Sequence, residues 1–321
     1  MEDKYKARIN FHGDLKDVSM LICKDYNLGE FKSNEIILIG YEDFNFILET
    51  SKGKYFVKTF ANFRKMDDCK RYIDIMEKAM EAKIATPKLI KSKKGYLYIT
   101  EINNTKLRLC VMEFIDGKNL FESREKLNDM EIKFISNQAA LINSLKIKPN
   151  FIYDRWAIVN FLKEFEEKGK SLSNDDLKIL KPLINEFKQL NIEKLPHCFV
   201  HGDIIAPNVI KDKYGKLWII DFSVSNYYPR VQELAVLACN LYFNEDSKEK
   251  TIKNLEIALK EYQKIIKLTE EELSILPLFI KLAHAMHVLC AGFEKNIRNN
   301  TSIENEYFLN QGRIGLKQTQ A

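Results

Sequence analysis

The chain has 321 residues, of which 45% are apolar, so it can bury the cores of one large or two modest domains. Its 50 basic and 45 acidic side chains leave a formal charge of only +5, and the two signs are interspersed. Because no basic run with interleaved aromatic residues occurs, we expect no nucleic-acid partner. The polar first ten residues are unlike a signal peptide, which favours a cytoplasmic protein.

The six cysteines are far apart and form no Cys-x-x-Cys pair, so we expect reduced thiols, several of them buried. The most apolar long segment, residues 275–293, is interrupted by Lys281, His284 and His287. It predicts a core helix rather than a membrane span, and we expect no membrane partner. The two histidines lie three residues apart without a third ligand at a suitable spacing, which favours core histidines over a zinc site.

In chain order, the first predicted element is a helix over residues 14–26, with Asp14 as its N-cap. Residues 35–60 then read as three short strands joined by tight turns, which predicts an antiparallel sheet with one covered face. The first of these turns could place backbone amides over phosphate groups. The turn contains a single glycine, Gly40, so by itself it is a weak signal for nucleotide binding.

Lys58 lies in the apolar third strand, where a charged group needs a partner. One interpretation is the lysine that binds the α- and β-phosphates of a nucleotide, and the other is a lysine on the solvent face. A helix is predicted over residues 66–83, and Asp68 lies one turn before Tyr72 on its apolar stripe. Asp68 could therefore face inward and hold Lys58. Three other acids of this helix are alternatives: Asp67, Asp74 and Glu77.

The middle of the chain changes from short strands to long helical periodicities, which predicts a domain boundary near Ile115. The sequence thus predicts two domains, residues 1–114 and residues 115–321, the second of them mostly helical. The strands expected before the boundary and the helices expected after it cover residues 88–90, 96–101 and 106–114, then 128–145, 153–168 and 175–190.

The strongest signal is the spacing of two acids and an amide between residues 198 and 223. Asp203 follows His201-Gly202, Asn208 comes five residues later, and Asp221 opens Asp221-Phe222-Ser223. Two apolar runs joined by a turn at residues 214–216 predict a hairpin that brings Asn208 and Asp221 close together. Their oxygens suit Mg²⁺, and Asp203 could accept the proton of an attacking hydroxyl during phosphoryl transfer from ATP. Ordinary turn residues are the plainer alternative.

His201-Gly202-Asp203, together with Asn208 and Ile220-Asp221-Phe222, resembles the motif pair of the aminoglycoside-phosphotransferase and choline-kinase-like superfamily. The resemblance implies an α/β (α+β) protein-kinase-like fold of two lobes. A small N-lobe with an antiparallel sheet would bind the nucleotide, and a larger, mostly helical C-lobe would carry catalysis and bind the substrate. It also implies ATP and Mg²⁺ as cofactors, with a small-molecule hydroxyl compound as the phosphate acceptor.

Further positions are similar to homoserine kinase type II-like members of this superfamily. Gly40, Asn45 and Lys58 match the order and spacing of the family's first three strands, whose corresponding stretch runs Gly-x-Glu-Asx-x-Asn. In the family, adenine hydrogen-bonds to backbone at positions that match Glu113 and Ile115, within a register error of one. The family's Pro-Arg-x-x-Asp-Leu-Ala has Glu233 in place of Asp here, and we expect Glu233 to anchor the loop after Asp221.

The resemblance leaves the phosphate acceptor open, because the same fold hosts many functions. Residues 204–207 and Ser223 depart from the family pattern near the expected acceptor pocket. A homoserine-type amino alcohol is the first expectation, and choline-like amines, sugars and aminoglycosides are the alternatives. A catalytically silent binding or spore-coat-type protein of the same fold is the alternative from a different class. The sequence pattern predicts no particular oligomeric state. A protein kinase is disfavoured because His-Gly-Asp replaces His-Arg-Asp and no Ala-Pro-Glu motif occurs.

Overall fold

A computed structural model describes residues 5–38 and 42–320 of the chain. In these residues the helices, apart from short 3₁₀ turns, are α1 (Leu15–Asp25), α2 (Met66–Glu81), α3 (Leu120–Ser123), α4 (Asp129–Asn143), α5 (Phe161–Lys168), α6 (Asn174–Lys188), α7 (Val231–Asn240), α8 (Lys248–Tyr262), α9 (Glu270–Arg298) and α10 (Ile303–Gln320). The strands of the same residues are β1 (Phe31–Ile37), β2 (Phe44–Thr50), β3 (Gly53–Thr59), β4 (Leu89–Ile90), β5 (Tyr98–Ile102), β6 (Thr105–Glu113), β7 (Gly117–Asn119), β8 (His197–Val200), β9 (Val209–Asp212), β10 (Leu217–Ile219) and β11 (Asn226–Pro229).

The chain divides into two compact units. The first comprises Met1–Gly117 and Asp212–Ile220, and the second comprises Lys118–Lys211 and Asp221–Ala321. The main segment of the first unit ends at Gly117, two residues after Ile115, and the later segment Asp212–Ile220 also belongs to this unit. Within that segment the predicted turn is present: the Asp212 amide donates to the Lys216 carbonyl at 2.9 Å, and Gly215 has a φ of 83°.

The first unit is built on an antiparallel sheet with the strand order β1-β2-β3-β6-β4, in which β5 also pairs with β6. Burial alternates residue by residue along β2, so that Phe44, Phe46 and Leu48 point to the same covered face. Helix α1 covers this face with Val18 and Ile22 as part of one core. The predicted antiparallel sheet with one covered face is confirmed, and the sheet also includes strands from after residue 88.

The ends of the first two helices follow from local hydrogen bonds. The Asp14 side chain accepts a hydrogen bond from the Lys16 amide at 2.8 Å, which confirms it as the N-cap of α1. At the start of α2 the Asp68 carboxylate accepts a hydrogen bond from the Lys65 amide at 2.8 Å. Asp68 thus closes the first turn of its own helix, as the third residue of a capping box does.

The second unit is mostly helical, and α9 is its central helix. It is long and apolar enough to cross a membrane by composition, but 61% of its most apolar window is buried among the other elements. The core helix predicted over residues 275–293 is thereby confirmed. Gly315 of α10 lies against the His284 ring, where any larger residue would overlap it. This small residue therefore lets α10 approach α9 closely.

The two histidines of α9 are buried next to Cys239 of α7. The Cys239 Sγ lies 3.2 Å from the Nδ1 of His284 and 3.8 Å from the Nδ1 of His287. Burial lowers the pKa of His284 to about 3 and that of His287 to about 4, so both rings are neutral at physiological pH. The part of the chain that the structure describes holds no group of three or more His, Cys, Asp or Glu side chains placed to bind a metal ion.

One predicted helix begins later than expected. The apolar spacing predicts a helix from residue 153, but α5 starts only at Phe161. The Asp154 side chain accepts a hydrogen bond from the Trp156 amide at 2.9 Å, and the Asn160 side chain donates to the Asp154 carbonyl at 2.7 Å. This turn around Asp154 replaces the helical hydrogen bonds of the first residues.

All six cysteines lie in described residues and are free thiols.

Candidate active site

The loop after β8 brings together the acid and the amide that the sequence singled out. Strand β8 pairs antiparallel with β11 and leads directly into His201-Gly202-Asp203. A 3₁₀ turn over Ala206–Asn208 then returns the chain, so the Asn208 side chain reaches Asp203. Its Nδ2 donates to the Asp203 Oδ2 at 2.7 Å and to the Asp203 carbonyl at 3.0 Å. With the nitrogen committed to Asp203, the amide oxygen of Asn208 is the atom that can serve a cation.

Asp221 occupies a backbone conformation that is unusual for a residue with a side chain. Its φ is 65°, in the left-handed region, and such strain is found preferentially at functional sites. The amide of Ser223 donates to the Asp221 Oδ1 at 3.2 Å, and the Ser223 hydroxyl donates to the same oxygen. The next residue, Phe222, is fully buried and contacts the His201 ring, with 4.4 Å between the ring centroids. The motif around Asp203 and the motif around Asp221 are therefore packed together.

Glu233 of α7 anchors the loop that carries Asp203. Its carboxylate accepts hydrogen bonds from the His201 amide at 2.6 Å and from the Gly202 amide at 3.3 Å. The Asn143 side chain donates a third hydrogen bond at 3.2 Å. Burial raises the pKa of Glu233 to about 7, although these three hydrogen bonds act to lower it.

The expectation that Glu233 holds the loop after Asp221 is therefore corrected. Its carboxylate accepts hydrogen bonds from the loop before Asp203 and from α4. The reason is geometric: α7 presents the carboxylate to the end of β8, where two consecutive backbone amides need an acceptor.

Asp203 lies in an acidic environment. Burial raises the pKa of the Asp203 carboxyl well above its ordinary value, and the nearby Asp154, Asp221 and Glu304 carboxylates raise it further. The hydrogen bond from Asn208 opposes this shift. These carboxylates disfavour the negative charge of Asp203, and a cation that binds beside it would offset this effect. Carboxylate and amide oxygens are the ligands that Mg²⁺ prefers, so the residues present fit a magnesium ion.

Two of these acids, Asp154 and Glu304, were not identified as site residues from the sequence. Asp154 lies in a stretch whose apolar spacing predicts a helix, and nothing in that pattern indicates a role near Asp203. Glu304 lies in the first turn of α10, and no motif in the sequence singles it out. Their proximity to Asp203 depends on how the helices of the second unit pack, which local spacing does not encode.

In the first unit, Lys58 of β3 has a different partner from the predicted one. Its Nζ lies 3.1 Å from the Asp43 Oδ2, and both side chains are almost completely buried. Asp68, the expected partner, instead caps α2. From α2 it is Tyr72 whose ring faces the lysine, with the Nζ 5.1 Å from the ring centroid. The assignment of Asp68 to Lys58 is therefore replaced by Asp43, which is the Asx of the quoted family stretch.

The remaining predicted nucleotide residues lie in the same sheet, except Gly40, which is outside the described residues. Asn45 of β2 is directly opposite Lys58 in the strand register, and its Oδ1 is buried without a hydrogen bond from any described residue. The Glu113 amide donates to the Lys88 carbonyl at 2.9 Å, so only its carbonyl can serve adenine. Ile115 follows two residues later and lines an open depression of about 410 Å³ that is bordered by Tyr55 and Glu113.

Comparison with solved structures identifies the fold of the protein. The chain resembles an amicoumacin kinase in complex with AMP-PNP, Ca²⁺ and Ami (18% identity, TM-score 0.69, covering 100% of this chain and 96% of that one). It also resembles a microcompartment-associated aminopropanol kinase (12%, TM-score 0.68, 96% and 97%). A third similar structure is the choline kinase LicA from Streptococcus pneumoniae (14%, TM-score 0.61, 94% and 99%). The fold is that of the protein-kinase-like phosphotransferases, as the sequence motifs predict.

The family model of the phosphotransferase enzyme family matches residues 35–265. The chain belongs to this family and is an ATP-dependent small-molecule kinase. The resemblance drawn from His201-Gly202-Asp203 and Ile220-Asp221-Phe222 is thereby confirmed.

Proposed function

We propose that the protein transfers the γ-phosphoryl group of ATP to a hydroxyl group of a small metabolite that carries a cationic amine. A homoserine-type amino alcohol is the first candidate acceptor. Choline-like amines and aminoglycosides are the other cationic classes, and sugars are the neutral alternative that the acidic surroundings of Asp203 disfavour. The observation that carries the proposal is the contact of Asp203 with Asn208 inside an acidic cluster that includes Asp221, Asp154 and Glu304.

The donor nucleotide is assigned to the following residues. Lys58 binds the α- and β-phosphates of ATP. Asn45 lies directly opposite Lys58 on the paired strand β2, and its side-chain amide belongs to the same proposed nucleotide site. The Glu113 carbonyl accepts a hydrogen bond from the exocyclic amine of adenine, and the Ile115 amide donates to a ring nitrogen. Gly40, which lies outside the described residues, is proposed from the sequence alone as a further residue of the nucleotide site.

Asn208 and Asp221 are the proposed ligands of Mg²⁺. The ion usually keeps few protein ligands and completes its shell with phosphate oxygens and water. When it is bound, it neutralises negative charge on the transferring phosphoryl group. The contribution of the chain is to hold one amide oxygen and one carboxylate in fixed positions. The hydrogen bonds from Asn208 to Asp203 and from Ser223 to Asp221 supply that rigidity.

Asp203 is the proposed catalytic base, which orients the acceptor hydroxyl and receives its proton. An aspartate in an ordinary environment is a poor proton acceptor, because its pKa lies far below physiological pH. Burial and the neighbouring carboxylates raise the pKa of Asp203, which improves its ability to accept a proton at physiological pH. Most of the remaining rate enhancement comes from positioning and charge neutralisation, because phosphoryl transfer requires little covalent chemistry from the protein.

The acidic cluster also supports an acceptor with positive charge. Asp154 and Glu304 belong neither to the proposed metal ligands nor to the base, yet both lie close enough to influence Asp203. Such a field attracts an ammonium group and disfavours an anionic acceptor. Two of the similar solved structures are an aminopropanol kinase and a choline kinase, and both named substrates carry an amine and a hydroxyl.

The test is a panel of small alcohols assayed for ATP consumption with Mg²⁺. The panel should contain matched pairs, such as an amino alcohol and the neutral alcohol of the same size. We expect the amino alcohol of each pair to be phosphorylated with a higher kcat/KM. Equal values within the pairs would contradict the cationic acceptor, and no ATP consumption with any member would favour a silent binding protein. We further propose that the enzyme acts in the cytoplasm.

A further inference from the structure

The ion pair of Lys58 joins β3 to the residue that precedes β2. The Lys58 Nζ is 3.1 Å from the Asp43 Oδ2, and the two side chains are 6% and 3% exposed. Asp43 comes immediately before β2, and Lys58 is in β3, which pairs with β2 along its whole length. The distance between the two residues is therefore fixed by the hydrogen bonds of a hairpin.

Asp43 is itself held in place by two donors on its other oxygen. The Arg64 Nε donates to the Asp43 Oδ1 at 2.7 Å, and the Ala61 amide donates to the same oxygen at 3.0 Å. Burial acts to raise the pKa of Asp43, but the positive charges of Lys58 and Arg64 lower it below its ordinary value. The carboxylate thus stays ionised, with the Oδ2 directed at the lysine.

Helix α2 contributes different chemistry. Tyr72 presents its ring to the Lys58 Nζ at 5.1 Å from the centroid. This distance is within the range of a cation–π interaction, which attracts the ammonium without fixing its direction. The acid that the sequence placed in this role, Asp68, accepts a hydrogen bond from the Lys65 amide and so serves the end of α2.

We propose that Asp43 is the positioning residue of Lys58, in the role that the sequence assigned to a carboxylate of α2. The inference rests on the proposed function, in which Lys58 binds the phosphates of ATP. Asp43 fixes the position of the Lys58 ammonium group. Arg64 holds the Asp43 carboxylate in place when Lys58 also binds a phosphate. ATP binding then depends on the β2–β3 hairpin and not on an acid of α2.

The experiment is a double-mutant cycle on the full chain, with the affinity for Mg²⁺-ATP measured by isothermal titration calorimetry. The variants are Asp43→Asn, Lys58→Met and the double variant, and the matched control is Asp68→Asn. Arg64 remains as a partner of Asp43 when Lys58 is replaced, so Lys58→Met does not leave an isolated buried carboxylate. Because no acceptor is present, the readout does not depend on turnover.

We expect Asp43→Asn to weaken ATP binding about tenfold or more in the unaltered background and by less than about twofold in the Lys58→Met background. Asp68→Asn should leave the affinity within about twofold. Asp43→Glu, which keeps the charge, should retain more affinity than Asp43→Asn, and it replaces that variant in the cycle if the latter folds poorly.

Equal losses from Asp43→Asn in both backgrounds would show a purely structural role and overturn the inference. A loss from Asp68→Asn as large as that from Asp43→Asn would return the role to α2 and also overturn it. Failure of the unaltered protein to bind ATP would instead refute the proposed function, so the two failures are distinguishable.

Discussion

Replacing Glu233 by glutamine should change how the stability of the protein depends on pH. Glu233 is fully buried, and its pKa is raised from the ordinary 4.5 to about 7, first of all by burial. In the unfolded chain the group loses its proton near pH 4.5, whereas in the folded protein it keeps the proton up to about pH 7. The folded state therefore binds more protons between these values, and the free energy of unfolding falls as pH rises through this window.

The size of this change in the free energy of unfolding follows from the pKa shift of Glu233. At 1.36 kcal/mol per pKa unit, the shift of Glu233 corresponds to about 3 kcal/mol, most of which is lost between pH 5 and pH 8. His284 and His287 act in the opposite direction, because their lowered pKa values make the unfolded state bind protons below about pH 6.5. The pH dependence of the free energy of unfolding of the whole protein combines these opposing contributions. The difference between the unaltered protein and Glu233→Gln isolates the contribution of Glu233.

The assay is urea unfolding of both proteins at several pH values between 5 and 8. At pH 5 the variant should be less stable by about 1–3 kcal/mol, since one glutamine amide group cannot accept both backbone hydrogen bonds of His201 and Gly202. The deficit should shrink by about 2.5 kcal/mol towards pH 8. A deficit that stays constant over this range would show that the pKa of Glu233 is not raised in the folded protein.

Three further outcomes follow from the structure. Asp203→Ala should fold and bind ATP but lose turnover by about two orders of magnitude or more in a coupled kinase assay; a near-normal rate would remove Asp203 as the base. Asp154→Asn should raise KM for the preferred amino alcohol more than for its neutral counterpart, and equal changes would contradict its interaction with the amine. Gly315→Ala should lower the stability in urea by about 1–3 kcal/mol because a methyl group would overlap the His284 ring; an unchanged midpoint would contradict the close approach of α10 to α9.

The parts of the site that the sequence predicts are those fixed by local geometry. Asp203 and Asn208 are five residues apart, and a single 3₁₀ turn brings their side chains into contact. The antiparallel sheet around Lys58 follows in the same way from alternating short strands and tight turns. Spacing along the chain determines these contacts, so a pattern of residue types is sufficient to predict them.

The parts that the sequence does not predict depend on packing between distant elements. Asp43 and Asp68 are both acids near Lys58 in the sequence, and only the strand register and the cap of α2 decide between them. Glu233 lies closer in the sequence to Asp221 than to His201, yet its helix presents it to the His201 amide. Asp154 acts on Asp203 from a turn that stands where the apolar spacing predicts a helix.

Asp221 and Asn208 are the proposed ligands of the magnesium ion that accompanies ATP. Isothermal titration calorimetry of ATP binding, with and without Mg²⁺, tests this assignment most directly in the unaltered protein and in Asp221→Asn. Asp175→Asn is the matched control, because the Asp175 side chain is 93% exposed on α6. We expect Mg²⁺ to strengthen ATP binding by the unaltered protein and by the control, and to have little effect on Asp221→Asn. The same Mg²⁺ dependence in all three proteins would contradict the account.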